Sequence, residues 1–233
     1  MKAKALFLDC GGVMVCPPTG DWTLTNKMLP VLGADFFEKH LEEYRRARKC
    51  ADQYIPDGYL MDDELPECAM MERFYRLTFA AMGRHFSDEE YAFLVECQRS
   101  VTKYRFFDDV KPFLAAWQGK IRLGVISDAP PSTRRILREE GVTQYMDGMT
   151  FSFELGTLKP DPRMYRHMLE MIGVAPEDAV FVDDMPRNLF GAQAVGMQAV
   201  QMIRPMPAAY PMDAQWDGPA AHDFAELGRL LEL

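Results

Sequence analysis

Three aspartates stand where a carboxylate could do chemistry. Asp9 ends the apolar run of residues 5–8 and precedes Gly11-Gly12, and the tandem Asp183-Asp184 ends a second apolar run at 179–182. A carboxylate held rigidly at a strand end can attack phosphorus and form an acyl phosphate. An anion approaching an anion needs a cation between them, and two further carboxylates supply the hard oxygen ligands that Mg2+ prefers. Ser127, with Asp128 beside it, closes a third apolar run at 121–126 and offers a hydroxyl and nearby amides to nonbridging phosphate oxygens. Lys159 offers charge within Gly156-Thr157-Leu158-Lys159-Pro160-Asp161-Pro162, where Pro160 stiffens the chain and Asp161 or Pro162 begins a helix. Taken singly these residues have simpler explanations: an aspartate at a strand end forms turns, and Ser127-Asp128 could cap a helix starting near Pro130-Pro131.

The elements that must position them follow a single pattern. Each apolar run reads as a buried parallel strand, each is followed by helix-compatible sequence, and the polar residues fall at the carboxyl ends. Alternation of that kind predicts an α/β fold with a Rossmann-like, doubly wound parallel sheet, whose ligands bind at the strand ends. Between about residues 16 and 104 the chain becomes rich in Glu, Arg, Met and aromatics, with helical spacing over 36–49, 68–82 and 87–101. This predicts a helical insertion: residues 1–15 and 105–233 would form the core domain and 16–104 a helical cap domain. Residues 52–66, with Pro56, Gly58 and the acids Asp62, Asp63 and Glu64, read as an exposed loop. The proline-rich stretch 204–219 reads as a surface wrap before a last helix near 224–231.

The set resembles the four motifs of the haloacid dehalogenase superfamily. The first is Leu6-Phe7-Leu8-Asp9-Cys10-Gly11-Gly12-Val13, the second Val125-Ile126-Ser127-Asp128 and the third Lys159-Pro160-Asp161. The fourth is Phe181-Val182-Asp183-Asp184, continuing through Asn188 to Gly191-Ala192 and Gly196-Met197. The insertion falls where that family places a cap after its first motif. The resemblance implies that Asp9 is the nucleophile, that Ser127 and Asp128 bind substrate, and that Lys159 neutralises charge on nucleophile and phosphoryl group. It implies Mg2+ held by Asp9, the carbonyl of Gly11, Asp184 and, directly or through a neighbour, Asp183, with Asn188 orienting the acidic pair.

One position departs from that pattern. Phosphatases of the family usually carry a second aspartate two residues after the nucleophile as general acid and base, and here that position is Gly11. Loss of such a group slows a reaction by roughly 10²–10⁴-fold without abolishing it. A good leaving group, such as a sugar anomeric phosphate, needs less protonation, and a cap residue or water could substitute. Three readings therefore stand. The leading one is a magnesium-dependent phosphatase acting on a small phosphorylated metabolite through an aspartyl-phosphate at Asp9. The second is a catalytically weakened domain that binds a phosphorylated ligand or a protein. The third, a 2-haloacid dehalogenase, is disfavoured because two uncompensated carboxylates beside a carboxylate substrate repel it.

Composition narrows the rest. Nearly half of the 233 residues are apolar, enough for a substantial core. A net charge of -9 gives no footprint for nucleic acid, and no stretch is long enough to cross a membrane. Five cysteines without a C-x-x-C pair suggest neither a disulfide framework nor a zinc site and fit reduced thiols in a cytoplasm. Cys10 should point into the core, since adjacent strand residues face opposite sides. Arg45, Arg46 and Arg48 could reach an anionic substrate or line a solvated helix face, and the four histidines show no ligand spacing. Oligomeric state is open at this level.

Overall fold

A computed structural model describes residues 3–54, 59–206 and 215–231. Its centre is a six-stranded parallel sheet built from β1 (Ala5–Leu8), β4 (Arg122–Ser127), β5 (Gly148–Phe151), β6 (Ala179–Asp183), β7 (Gln198–Met202) and β8 (Ala220–Ala221). The order is β5-β4-β1-β6-β7-β8. β1 therefore lies between β4 and β6, with Leu8 level with Val125 on one side and Val182 on the other. Chain connections leave in opposite directions from this point, which opens a crevice at the carboxyl ends of these three strands.

Alternation along β1 explains the layers. Leu6 and Leu8 face a cluster with Leu123, Val125, Val180 and Val182, covered by helices Val110–Trp117 and Phe224–Leu230. Ala5 and Phe7 face the other way, against Phe181 and Ala179, under helices Pro162–Ile172 and Pro186–Ala194. Cys10 joins the Leu6 and Leu8 side, buried as the alternation requires, and burial pushes its thiol up to about 12.

The helical insertion leaves and re-enters through an antiparallel pair, β2 (Val15–Cys16) with β3 (Arg105–Phe106). Two-residue strands carry too little periodicity to be visible in sequence. The insertion has a core of its own, drawn from residues between Leu24 and Cys97 and dominated by aromatics. Phe36, Tyr44, Tyr75 and Phe79 meet at ring distances of 5.6–6.3 Å, largely edge-on or tilted.

Several helices differ from their sequence expectations. The helix expected over 36–49 is two, Phe36–Lys39 and Leu41–Ala47, broken at His40 (φ -122°) so that both Phe36 and Tyr44 turn into the aromatic core. The second helix starts earlier, as Glu64–Ala81, because the Asp63 carboxylate accepts from the Leu65 amide at 3.1 Å. Asp63 and Glu64 thus belong to a helix start, whereas residues 55–58 of the expected loop lie outside the described residues. Asp88–Gln98 begins at Ser87 with a reciprocal Ser87–Glu90 cap. The helix after β4 is Ser132–Glu139, and Pro131 rather than Ser127 or Asp128 precedes it. In the tail, residues 207–214 fall outside the described residues, and Trp216 lies on Phe190 at 5.4 Å.

Close approach explains Gly191. A Cβ there would lie 2.6 Å from Cβ of Pro160 and 2.7 Å from Oη of Tyr165, so only glycine lets helix Pro186–Ala194 press against the loop that carries Lys159. Gly191→Ala is expected to cost about 1–3 kcal/mol through forced displacement of that loop. Urea unfolding of the variant beside the wild type measures it.

Candidate active site

Three of the candidate side chains stand at strand ends, and Lys159 reaches them from the loop before helix Pro162–Ile172. Asp9 is the first residue beyond β1, Ser127 closes β4, and Asp183 closes β6. Because these strands are neighbours, the three ends converge without help from long loops. Oxygen atoms of Asp9, Asp183 and Asp184 come within 4.8 Å of one another.

Lys159 holds this cluster together. Its Nζ lies 2.9 Å from Oδ1 of Asp9 and 2.7 Å from Oδ2 of Asp183, and it donates to the Ile126 carbonyl at 3.3 Å. Burial works against its charge, but Asp183 and Asp9 keep the ammonium well above the usual lysine range. The loop that presents it is anchored by Asp128, whose Oδ1 accepts from the Lys159 backbone amide at 2.9 Å. Asp128 therefore positions Lys159, a task that the sequence alone did not reveal, while still bordering the same cavity. Asp161 caps the following helix as expected, accepting from the Arg163 amide at 2.8 Å.

Asp183 is fully buried and held by several donors. It accepts from the Met185 amide at 2.8 Å, from Lys159, and from Nδ2 of Asn188 at 3.1 and 3.0 Å. Asn188 thus orients Asp183 as the motif implies. Asp184, half-buried, borders the cavity, and burial with Asp183 and Asp9 nearby pushes its carboxyl up to about 9. Burial likewise raises Asp9, against the pull of Lys159 and a contribution from the Ser127 hydroxyl. Three carboxylates facing one ammonium leave a local excess of negative charge in a poorly solvated place. That donor set fits a hard divalent cation.

Gly11 is closed over by an indole. A Cβ at this position would meet Cη2 of Trp22 at 3.3 Å and Oδ2 of Asp9 at 3.9 Å. The edge of Trp22 therefore lies tight against the place where a general acid would be expected, and it meets Tyr104 edge-on at 6.1 Å.

The cavity in front of Asp9 has a volume of about 280 Å³ and takes much of its wall from the insertion. Of the three arginines singled out, Arg48 borders it, with its guanidinium on Asp21 at 2.8 and 2.9 Å. Arg45 pairs with Glu42 and Gly20, and Arg46 is exposed. Sequence reasoning missed Trp22, Glu67, Gln98, Lys103 and Tyr104, which also line the cavity. They belong to no motif, and their only signal is that Lys103 and Tyr104 directly precede the return to the core. Glu67 closes the insertion down: its carboxylate accepts from the amide and hydroxyl of Ser132 at 2.9 and 2.6 Å. Arg135 reinforces this by reaching Glu64 at 3.1 Å and the Arg99 carbonyl at 2.7 Å, and Ser152 donates to the Tyr59 carbonyl at 2.7 Å.

Comparison with known proteins agrees with this geometry. The family model described as haloacid dehalogenase-like hydrolase matches residues 3–196. A phosphoserine phosphatase of Thermus thermophilus is 33% identical over 109 residues, 46% of this chain and 44% of that protein. An enolase-phosphatase E1 of Frankia alni is 31% identical over 126 residues, 52% of each. The alignments thus span about half the length of these relatives. Among solved structures, a HAD phosphatase from Thermococcus onnurineus superposes with a TM-score of 0.59 at 23% identity, covering 99% of this chain and 98% of that one. L-2-haloacid dehalogenase from Xanthobacter autotrophicus superposes at 0.69 with 15% identity and the same coverage, a likeness of fold.

Removing the ammonium should expose its structural share. Lys159→Met leaves Asp9 and Asp183 buried without their cation and is expected to cost about 3–5 kcal/mol. Equilibrium denaturation without added divalent ions checks this.

Proposed function

Because the chain belongs to the haloacid dehalogenase-like hydrolases, we propose that it is a magnesium-dependent phosphatase acting on a small phosphorylated metabolite, with Asp9 as nucleophile. The observation that carries this reading is the cluster of Asp9, Asp183 and Asp184 around Lys159, a site with too much negative charge for a carboxylate-bearing haloacid alone. Phosphatase names among the relatives support it.

In the proposed reaction an Asp9 carboxylate oxygen attacks phosphorus, the ester P–O bond breaks, and the leaving oxygen takes a proton from solvent. Water then attacks the aspartyl-phosphate, releasing phosphate and restoring Asp9. Lys159 sits 2.9 Å from the nucleophile and offsets charge there as it moves toward phosphorus. Ser127, buried at the end of β4, and the amides after it would hold nonbridging oxygens. Asp9, Asp183, Asp184 and the Gly11 carbonyl would hold Mg2+, which when bound supplies a counter-charge for the two approaching anions. With Trp22 over Gly11 and no carboxylate at that position, the reaction favours leaving groups stable as oxyanions, sugar anomeric phosphates among them.

The same Trp22–Gly11 contact favours the second reading, a domain that binds a phosphorylated ligand and turns it over weakly. Phosphate release from sugar phosphates, nucleotides and an aryl phosphate, with and without Mg2+, separates the two. Metal-dependent release that Asp9→Asn lowers by at least about a thousandfold supports the phosphatase; equal activity in wild type and variant removes Asp9 as nucleophile. Silence across the whole panel leaves the binding domain.

A dependence on pH follows from Asp184. Its carboxyl, raised to about 9, holds a proton in the folded metal-free protein that the unfolded chain releases near pH 4. Stability of the metal-free protein should therefore fall as pH rises from about 4 to 9. A bound cation must displace that proton, so the gain in thermal midpoint on adding Mg2+ should widen between pH 6 and 9. Melting curves across that range, with Mg2+ and with chelator, measure it.

A further inference from the structure

Two polar atoms in the cavity wall, Nζ of Lys103 and Oε1 of Gln98, have no hydrogen-bond partner among the described residues and stand apart from the machinery described above. Lys103 is 6% exposed, and its ammonium makes no hydrogen bond or ion pair among the described residues. Its nearest described ring is Tyr104, with Nζ 5.1 Å from the centroid. Burial pulls the Lys103 ammonium below the usual lysine range; Glu67 acts against that pull, but both of its oxygens are engaged by Ser132. Gln98 is 3% exposed; Nε2 donates to the Trp22 carbonyl at 2.7 Å, and Oε1 is buried without a donor. Both residues line the cavity that contains Asp9.

A buried ammonium without a partner is costly, and so is a buried acceptor left unsatisfied. Neither serves to join the insertion to the core, since that work is done by Glu67, Glu64 and the Tyr59 carbonyl. Neither belongs to the Asp9–Lys159–Asp183 cluster. Trp22, Met70 and Met71 give the cavity apolar wall beside them, which strengthens any charge pairing made there.

Resting on the phosphatase reading, we infer that Lys103 and Gln98 form the leaving-group subsite, and that the substrate is a phosphomonoester whose leaving group carries a second anion beside a hydrogen-bond donor such as a hydroxyl. Lys103 pairs with the anion, and Oε1 of Gln98 accepts from the hydroxyl. A carboxylate and a second phosphate share the required charge. Lys103 is a specificity residue: it selects the group that leaves and takes no part in attack on phosphorus.

The test uses matched probes. Phosphoglycolate is compared with ethyl phosphate, and a sugar bisphosphate with its monophosphate, in wild type and Lys103→Met. The wild type is expected to prefer the more anionic member of at least one pair by about tenfold or more in kcat/KM, as one charge-assisted contact allows. The pair that shows the preference tells carboxylate from phosphate. Lys103→Met should abolish the preference while leaving kcat/KM on the less anionic member within about threefold. No preference in the wild type, or equal losses on both members together with a lower thermal midpoint, overturns the assignment and makes Lys103 structural.

Calorimetric binding of phosphonoacetate against ethylphosphonate in the presence of Mg2+ asks the same question without turnover. If even an activated aryl phosphate is not hydrolysed but phosphonoacetate binds at least about tenfold more tightly, and Lys103→Met removes that difference, the phosphatase reading fails and the subsite stands. If the aryl phosphate is hydrolysed and neither measurement shows discrimination, the subsite fails alone.

Discussion

Everything in the site is arranged around one ammonium group set between two buried carboxylates. Lys159 bridges Asp9 on β1 and Asp183 on β6, so it joins the strand ends from which the crevice is made. A buried charge of this kind is tolerated only when its partners are fixed. The supports are correspondingly dense: Asn188 and the Met185 amide hold Asp183, Asp128 holds the Lys159 backbone, and Gly191 lets a helix press against the same loop. Residues around the cluster thereby fix the geometry of Asp9 and Lys159.

The insertion solves a different problem. It has an aromatic core of its own and is joined to the sheet covalently by the β2–β3 pair. Trp22 and Tyr104 pack against the core cluster, and polar attachments add to them: Glu67 on Ser132, Arg135 on Glu64, and Ser152 on the Tyr59 carbonyl. Hydrogen bonds are directional, so these contacts fix how the insertion is oriented on the core. The core supplies the acidic cluster with Lys159, and the insertion supplies much of the remaining cavity wall.

What the sequence revealed, and what it hid, follows from the range of the interactions. Asp9, Ser127, Lys159, Asp183 and Asp184 were legible because each ends a buried strand or sits beside a proline, and such local patterns survive in a linear text. The parallel sheet was legible for the same reason, through apolar runs alternating with helical stretches. β5 and β7 were not singled out, and β2, β3 and β8 are too short for any period. The helix break at His40 is decided by where Phe36 and Tyr44 must point, a matter of tertiary packing. Lys103 and Gln98 were invisible because lining a buried cavity is a property of a place in space.

Trp22 gives the vacancy at Gly11 a wider meaning. The indole edge and a Cβ at position 11 compete for the same few ångströms. An acid at residue 11 and the present ring placement at residue 22 are therefore coupled states, and exchanging them separately should give effects that do not add. A side chain at residue 11 would ask Trp22, and with it this edge of the insertion, to give by a few tenths of an ångström, so the first strand end and the cavity wall are shaped together.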